Sequence, residues 1–230
     1  MFPLKSLAPR RTFPVVTLGI IAVNVYVFLQ EVVLSPPALD KLISIFGLVP
    51  ARFTELMAGA HVSAADAIFP LITCMFLHAD CLHIIGNMWF FWIFGATVED
   101  RLGHIPFLLF YFICGIVAGL THVAFNWGSR IPTIGASGAI SGVIGAYLVL
   151  YPMARIFTLV PIVIIPLFFD IPALIFIGFW FVLQFLAGLG TVAPQDARPV
   201  AWWAHVGGFA MGMLLAVRWK RKRTPNYYYG

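Results

Sequence analysis

The sequence predicts an all-α, polytopic membrane protein, built as one bundle of six transmembrane helices. Hydrophobic residues make up 61% of the 230 residues and charged residues only 10%, whereas charged residues form about a quarter of an ordinary soluble domain. Apolar runs of roughly 20 residues, the length that crosses the core of a bilayer, recur along the chain. The net charge of +5 is therefore interpreted through membrane topology, since no nucleic-acid-binding motif accompanies the basic residues.

Six apolar segments are predicted to span the membrane: 14–34, 82–98, 105–124, 134–151, 171–189 and 201–217. The segment 156–169 is also apolar, but it is short for a span, and Pro161 and Pro166 would break a helix. We therefore expect it to be an interfacial or buried connector. Residues 35–81, between spans one and two, are expected to lie on or partly in the outer leaflet.

Lys and Arg residues orient the predicted bundle with both termini in the cytoplasm. Four of the fourteen then lie outside, and the other ten lie inside, as the positive-inside rule expects. The outer four are Lys41, Arg52, Arg130 and Arg198. The prediction divides the chain into a cytoplasmic N-terminal segment (1–13), a six-span domain (14–217) and a basic cytoplasmic tail (218–230).

Polar residues stand at similar depths in spans two, four and six, which all run from outside to inside in this topology. Span two begins with His83 and Asn87, span four with Ser137, and span six with His205. A rise of 1.5 Å per residue places these groups at roughly one level below the outer surface. Because intramembrane ionisable groups are costly and usually face a pocket or a partner, the sequence predicts one shared polar pocket.

Small residues predict a close contact between spans four and six. On span four they recur every four residues, and on span six they share one face with His205. The positions are Ser137, Ser141 and Gly145, then Gly138, Gly142 and Ala146, and finally Gly208 and Gly212. Such ridges let membrane helices approach closely, which would bring the His205 imidazole to the Ser137 hydroxyl. Taken alone, Ser137 would more simply be a packing residue. Together with His205, His83 and Asn87, it is better interpreted as a nucleophile.

His83 and Asn87 share a helix face and can both donate hydrogen bonds, as an oxyanion site requires. Ser137 lies in the first turn of its helix, among unpaired backbone N–H groups at the positive end of the dipole. None of the nine acidic residues lies within spans four or six, where a bare carboxylate would be expensive. We therefore predict a Ser137–His205 dyad, with the histidine held by packing and by Ser141 or another hydroxyl.

These residues resemble the rhomboid family of intramembrane serine proteases. The matching pieces are "HIIGN" and "VEDRLG" at the two ends of span two, "GASG" in span four and "AHVGGFAMG" in span six. The resemblance implies a six-transmembrane-helix rhomboid bundle, with Ser137 as the nucleophile and His205 as the general base. It also implies an oxyanion site formed by His83, Asn87 and the Ser137 backbone N–H.

The resemblance further implies a peptide-bond hydrolase that needs no metal or cofactor. Its substrate would be the transmembrane segment of another protein, cut in or near the outer end, with membrane lipids as the surroundings and no nucleic-acid partner. Family substrates enter near spans two and five, which suggests Trp180 and Phe181 as walls of a gate. Some rhomboids carry a tyrosine four residues after the nucleophile, against which the histidine stacks. This chain has Ser141 there.

Other interpretations of the same residues stay open at this point. A non-catalytic rhomboid-fold chaperone or scaffold would bind transmembrane segments without cutting them. Cys74, His78, Cys81 and His83 are plausible zinc ligands, but their spacing matches no zinc signature. His122 is a rival base outside any matching motif. The compact chain, without a recognisable organelle-targeting extension, predicts a bacterial inner (plasma) membrane.

Overall fold

The computed structural model of the protein describes residues 1–60, 62–162, 165–190 and 201–220. Within these ranges the chain is mostly helical, with one small sheet. In chain order the elements are β1 (Phe2–Ser6), α1 (Val15–Val32), α2 (Pro36–Phe46), α3 (Pro50–Met57), α4 (Ala64–Ile68), α5 (Pro70–Thr73), a 3₁₀ turn (Cys74–Phe76), α6 (Cys81–Leu102), α7 (His104–Phe125), α8 (Ser137–Leu150), β2 (Arg155–Ile162), β3 (Ile165–Pro172), α9 (Ala173–Gly188) and α10 (Trp202–Lys220). Arg198 and residues 221–230 of the predicted basic tail lie outside the described residues.

Three of the described helices, α1, α6 and α7, are long and apolar enough to cross a membrane. Helices α8 and α9 are apolar but shorter, at 14 and 16 residues. Helix α10 has 19 residues and ends with Arg218 and Lys220 in its last turn. These six helices occupy the predicted apolar segments. The chain is therefore a mostly helical membrane protein with three clear candidate spans, and the count of six stays a prediction.

The expectation of an all-α chain is wrong on the inner side of the predicted bundle. The segment expected to be a connector forms an antiparallel hairpin, in which β2 pairs with β3 from Arg155–Pro172 to Ile162–Ile165. Strand β1, inside the predicted N-terminal segment, pairs antiparallel with β2. The β-branched and aromatic residues of β2 and β3 favour strands. Pro161 has no backbone N–H to donate, and it is tolerated because β1 pairs with β2 only as far as Leu159, so no carbonyl of β1 lacks a donor there.

The segment between α1 and α6, which the topology prediction places outside and which we call the outer segment, folds as short helices and fixes the chain that leads into α8. The backbone groups of Leu48 and Thr133 exchange two hydrogen bonds, at 2.9 and 2.8 Å. The Gly135 N–H donates to the Cys74 carbonyl at 2.8 Å. These three hydrogen bonds hold the loop immediately before Ser137 against the outer segment.

Glu99, near the C-terminal end of α6, fixes the start of α1. Its carboxylate is fully buried and accepts hydrogen bonds from the backbone N–H groups of Val16 and Thr17, each at 2.8 Å, and from the Thr17 hydroxyl at 2.6 Å. The His104 ring lies 2.6 Å from the same carboxylate. The first-turn N–H groups of α1, which have no acceptor within their own helix, are thus satisfied by a charge that the helix dipole favours.

Helix α8 is the central helix, and glycines set its distance from α10. A Cβ at Gly208 would overlap the carbonyl oxygen of Gly138, and a Cβ at Gly212 would overlap that of Gly142. On the other side, a Cβ at Gly138 would lie 2.7 Å from the Ala118 methyl of α7. The backbones of α8 and α10 therefore touch directly, as small-residue ridges allow. This contact fixes α10 relative to the first turn of α8.

Candidate active site

Ser137 is the first residue of α8, and the turn before it requires glycine. Gly135 has φ +122°, a conformation that residues with a Cβ rarely adopt. A Cβ at this position would also lie 2.8 Å from both Cε1 and Nε2 of His83. Gly135 therefore lets the chain turn sharply into α8 and lets the His83 ring approach the backbone beside Ser137.

Ser137 and His205 are hydrogen-bonded in the structure. His205 Nε2 lies 2.8 Å from Ser137 Oγ. The histidine is 8% exposed, and the Ser137 side chain reaches the cavity described below. A ring nitrogen at this distance can accept the hydroxyl proton, which is the geometric requirement for a general base.

Gln184 of α9 holds the other side of the His205 ring, a contact that the sequence interpretation missed. Its Oε1 lies 2.6 Å from His205 Nδ1. The signal was present in the sequence, because Gln184 is the one side chain in the otherwise apolar stretch 173–188 that can accept a hydrogen bond. Intramembrane polar side chains usually face a partner inside the bundle, but the sequence does not show which partner.

The expectation that Ser141 holds the histidine is wrong. The Ser141 hydroxyl donates to the backbone carbonyl of Ser137 at 2.7 Å, a bond that serine commonly makes one turn back within a helix. Two indole rings lie near the histidine instead. The Trp180 centroid is 6.3 Å from that of His205, and the Trp202 ring lies edge-on at 6.1 Å.

His83 and Asn87 lie on α6 beside Gly135. Asp80 caps α6 by accepting the His83 backbone N–H at 2.9 Å. His83 Nδ1 accepts the Ala79 N–H at 3.4 Å, which leaves the proton on Nε2, the nitrogen that faces Gly135. Asn87 Nδ2 is buried without a hydrogen-bond partner within the described part of the chain. Two N–H donors therefore point to the region next to Ser137, and one of them is unsatisfied.

A cavity of about 670 Å³ joins these side chains. Ser137, His205, His83, Asn87 and Gln184 all line it, and the rest of its wall is mostly apolar. A mostly apolar cavity with a few converging polar groups is the usual form of a binding site.

The two residues suggested as gate walls have different surroundings. Trp180 lines the cavity near His205. Phe181 is not part of the lining. It stacks on Phe209 of α10, with the ring centroids 4.3 Å apart. Of these two residues, Trp180 is therefore the one placed to contact a molecule in the cavity.

His122 and His78 lie away from Ser137. His122 Nε2 is 2.8 Å from the Thr133 hydroxyl, and its Nδ1 is 3.2 Å from Asn126 Nδ2, so both ring nitrogens have partners. His78 is 2% exposed and its backbone N–H donates to Glu31. Burial lowers the pKa of His78 to about 4. No group of three possible metal-binding side chains occurs among the residues that the structure describes.

Residues 65–222 match the family model described as Rhomboid domain. The chain is 30% identical to Rhomboid protein 1, mitochondrial, of Saccharomyces cerevisiae over 63% of its own length and 40% of the yeast protein. It is 28% identical to RHOMBOID-like protein 6, mitochondrial, of Arabidopsis thaliana, covering 69% of this chain and 48% of that protein. It is also 28% identical to Rhomboid-like protease 2 of Toxoplasma gondii, covering 59% of this chain and 46% of that protein.

The matches thus span less than half of each of these curated relatives. Two of the three carry mitochondrial names, which disagrees with the expectation of a bacterial inner membrane. The matched region includes every residue assigned above to the cavity's polar wall, and it also includes α9 and α10.

Proposed function

Because the chain belongs to the rhomboid family, we propose that it is an intramembrane serine protease in which Ser137 is the nucleophile and His205 the general base. The observation that carries this proposal is the 2.8 Å contact between His205 Nε2 and Ser137 Oγ at the wall of a cavity. A buried imidazole aimed at a serine hydroxyl is the arrangement that activates a weak oxygen nucleophile.

In the proposed reaction, His205 Nε2 takes the hydroxyl proton as Ser137 Oγ attacks the carbonyl carbon of the scissile peptide bond. The tetrahedral intermediate collapses when the imidazolium gives that proton to the leaving nitrogen, and the C–N bond breaks. An acyl-enzyme ester remains on Ser137. Water, deprotonated by the same nitrogen, then attacks the ester carbonyl. The C–Oγ bond breaks, the imidazolium returns the proton to Ser137 Oγ, and the new carboxyl end is released.

The negative charge of the tetrahedral oxygen needs donors that are in place beforehand. We assign this role to Asn87 Nδ2, His83 Nε2 and the first-turn N–H of Ser137. The unsatisfied state of Asn87 Nδ2 supports the assignment, because a buried donor without a partner costs folding free energy and is best explained by a ligand. Donors fixed before the reaction stabilise developing charge more effectively than donors that must reorient.

The proposed substrate is a transmembrane segment of another protein, cut near its outer end. The enzyme would be a six-span bundle, with both termini on the cytoplasmic side and lipid around it. The substrate would pass between α6 and α9, and Trp180 would be the gate residue that it meets on the way to the cavity. The Toxoplasma gondii relative is named a protease, which agrees with the proposed activity.

The test is cleavage of a membrane-anchored reporter by purified protein in liposomes, with the Ser137→Ala and His205→Ala variants compared with wild type. We expect both variants to lose cleavage by at least about a thousandfold. A fluorophosphonate probe should label wild type but not Ser137→Ala. Cleavage that survives either substitution would refute the dyad. Correctly folded wild type that binds transmembrane segments, yet neither cuts nor takes the label, would identify the non-catalytic chaperone or scaffold instead.

A further inference from the structure

This inference rests on the proposed function. We propose that Gln184 is a positioning residue for the reaction: its side-chain carbonyl accepts the proton on His205 Nδ1 and so directs Nε2 at the Ser137 hydroxyl. The ring is held on both sides, at 2.6 Å by Gln184 Oε1 and at 2.8 Å by Ser137 Oγ.

The protonation pattern follows from the two contacts. For His205 to accept the serine proton, Nε2 must carry a lone pair, so the neutral ring carries its hydrogen on Nδ1. The group that faces Nδ1 must then be an acceptor, which makes the nearer amide atom of Gln184 its oxygen. A donor at this position would favour the other tautomer and turn Nε2 into a competing N–H.

The other neighbours of His205 do not supply this acceptor. Trp180 and Trp202 lie near the ring, but an indole N–H can only donate. Ser141 donates to the Ser137 carbonyl. The titratable groups that act electrostatically on His205 are His83 on α6 and His122 on α7, and both are basic side chains. Among the described residues, Gln184 is thus the group whose bond orients the ring.

An amide suits this depth better than a carboxylate would. A buried carboxylate loses its hydration and must be paired with charge, whereas an amide accepts a hydrogen bond without carrying charge. Its dipole still stabilises the imidazolium that forms during the reaction, although less than a full charge would. Gln184 therefore does the orienting work of an acidic third residue without a second ionised group.

The activity test compares Gln184→Leu, which removes the acceptor, with Gln184→Glu, which keeps one of the same length. Leu183→Ala, an exposed neighbour on α9 that does not line the cavity, is the control for disturbance of the helix. We expect Gln184→Leu to lower kcat about 10- to 100-fold with KM nearly unchanged. Gln184→Glu should retain most of kcat at the optimum pH, and Leu183→Ala should behave as wild type.

The pH profile separates positioning from a structural role. Without the amide dipole, the imidazolium is less stable, so the acid limb of kcat/KM should move to lower pH in Gln184→Leu. Loss of folded protein would lower the whole profile without moving that limb. The inference is overturned if Gln184→Leu keeps kcat within about twofold of wild type, or if Gln184→Glu is as impaired as Gln184→Leu.

A second readout does not need catalysis. In ¹⁵N-histidine spectra of the detergent-solubilised protein, assigned with His205→Asn, we expect His205 as the Nδ1–H tautomer in wild type and a loss of this signature in Gln184→Leu. If wild type cleaves no reporter but the tautomer still depends on Gln184, the proposed function fails and the positioning role stands. If wild type cleaves and the tautomer ignores Gln184, the positioning role fails alone.

Discussion

Replacing Gly135 by alanine tests how closely the His83 ring must approach Ser137. The new Cβ would lie 2.8 Å from both Cε1 and Nε2 of His83, whereas ordinary contact begins at 3.4 Å. The ring must therefore withdraw by about 0.6 Å, the difference between these two distances. Asn87 Nδ2, at 3.6 Å from the same Cβ, keeps its place. The substitution thus displaces one of the two proposed side-chain donors of the oxyanion site and leaves the other.

The expected loss follows from that displacement. Removing one oxyanion donor costs about 10²- to 10³-fold in kcat, and a shift below 1 Å should cost part of this, about 10- to 100-fold. The backbone at φ +122° adds strain of about 1–3 kcal/mol. Gly59→Ala is the matched control, because Gly59 also has positive φ, at +72°, but a Cβ there meets nothing within 4 Å.

The assay is kcat for reporter cleavage, with the melting temperature in detergent measured on the same samples. Gly135→Ala should lose activity well beyond its loss of stability, and Gly59→Ala should lose stability alone. In a His83→Ala background the Gly135→Ala change should cost little further activity, since no ring remains to displace. An equal loss in both backgrounds, or full activity of Gly135→Ala, would show that the ring's approach to the turn is irrelevant.

Three further outcomes are expected. Gly208→Ala should lower activity at least tenfold, because its Cβ would overlap the Gly138 carbonyl and separate α8 from α10. Gly178→Ala, whose Cβ would have no atom within 4 Å, should leave activity unchanged. Equal activity of the two variants would refute the importance of the α8–α10 contact. Asn87→Leu should lower kcat about 10²- to 10³-fold while leaving the melting temperature equal or higher, since it removes an unsatisfied buried donor. A parallel loss of activity and melting temperature would make Asn87 structural. His78 should weaken the fold in acid, because its pKa falls from 6.5 to about 4 on folding. The unfolded chain therefore binds the proton first, and up to about 3 kcal/mol of the free energy of unfolding is lost as the pH drops from 6.5 to 4. His78→Phe should flatten that pH dependence of the melting temperature, and an unchanged slope would refute it.

The sequence was sufficient to predict that Ser137 and His205 meet, because small residues recur periodically around both of them. Glycines every four residues on α8 and α10 predict that two backbones touch, and the first-turn positions of the two polar residues then predict that they meet. The family resemblance carries the same information in its motifs. No knowledge of side-chain rotamers is needed for this step, since the helix contact itself brings the two residues together.

Gln184 and the hairpin could not be predicted in the same way. A single amide in an apolar helix has no periodic partner, and its contact depends on how α9 is rotated against α10. Residues 156–169 are apolar throughout, so their hydropathy is compatible with a buried helix, an interfacial segment or a strand. Prolines excluded the helix, but pairing with β1 is a long-range contact between residues about 150 positions apart, as in Phe2 with Leu159, and local pattern carries no signal for it.

Helix α9 carries both Trp180 and Gln184, yet six of its thirteen apolar side chains, Phe179 and Val182 among them, are exposed. A helix buried along one side only opens at lower free energy than a core helix such as α8. On the proposed mechanism, a hydrophobic compound that inserts beneath α9 from the lipid would therefore separate the Gln184 amide from His205. Ser137 would then lose its activation although the compound does not contact it. Such an inhibitor needs no reactive group, and resistance to it would arise on α9 rather than at the serine.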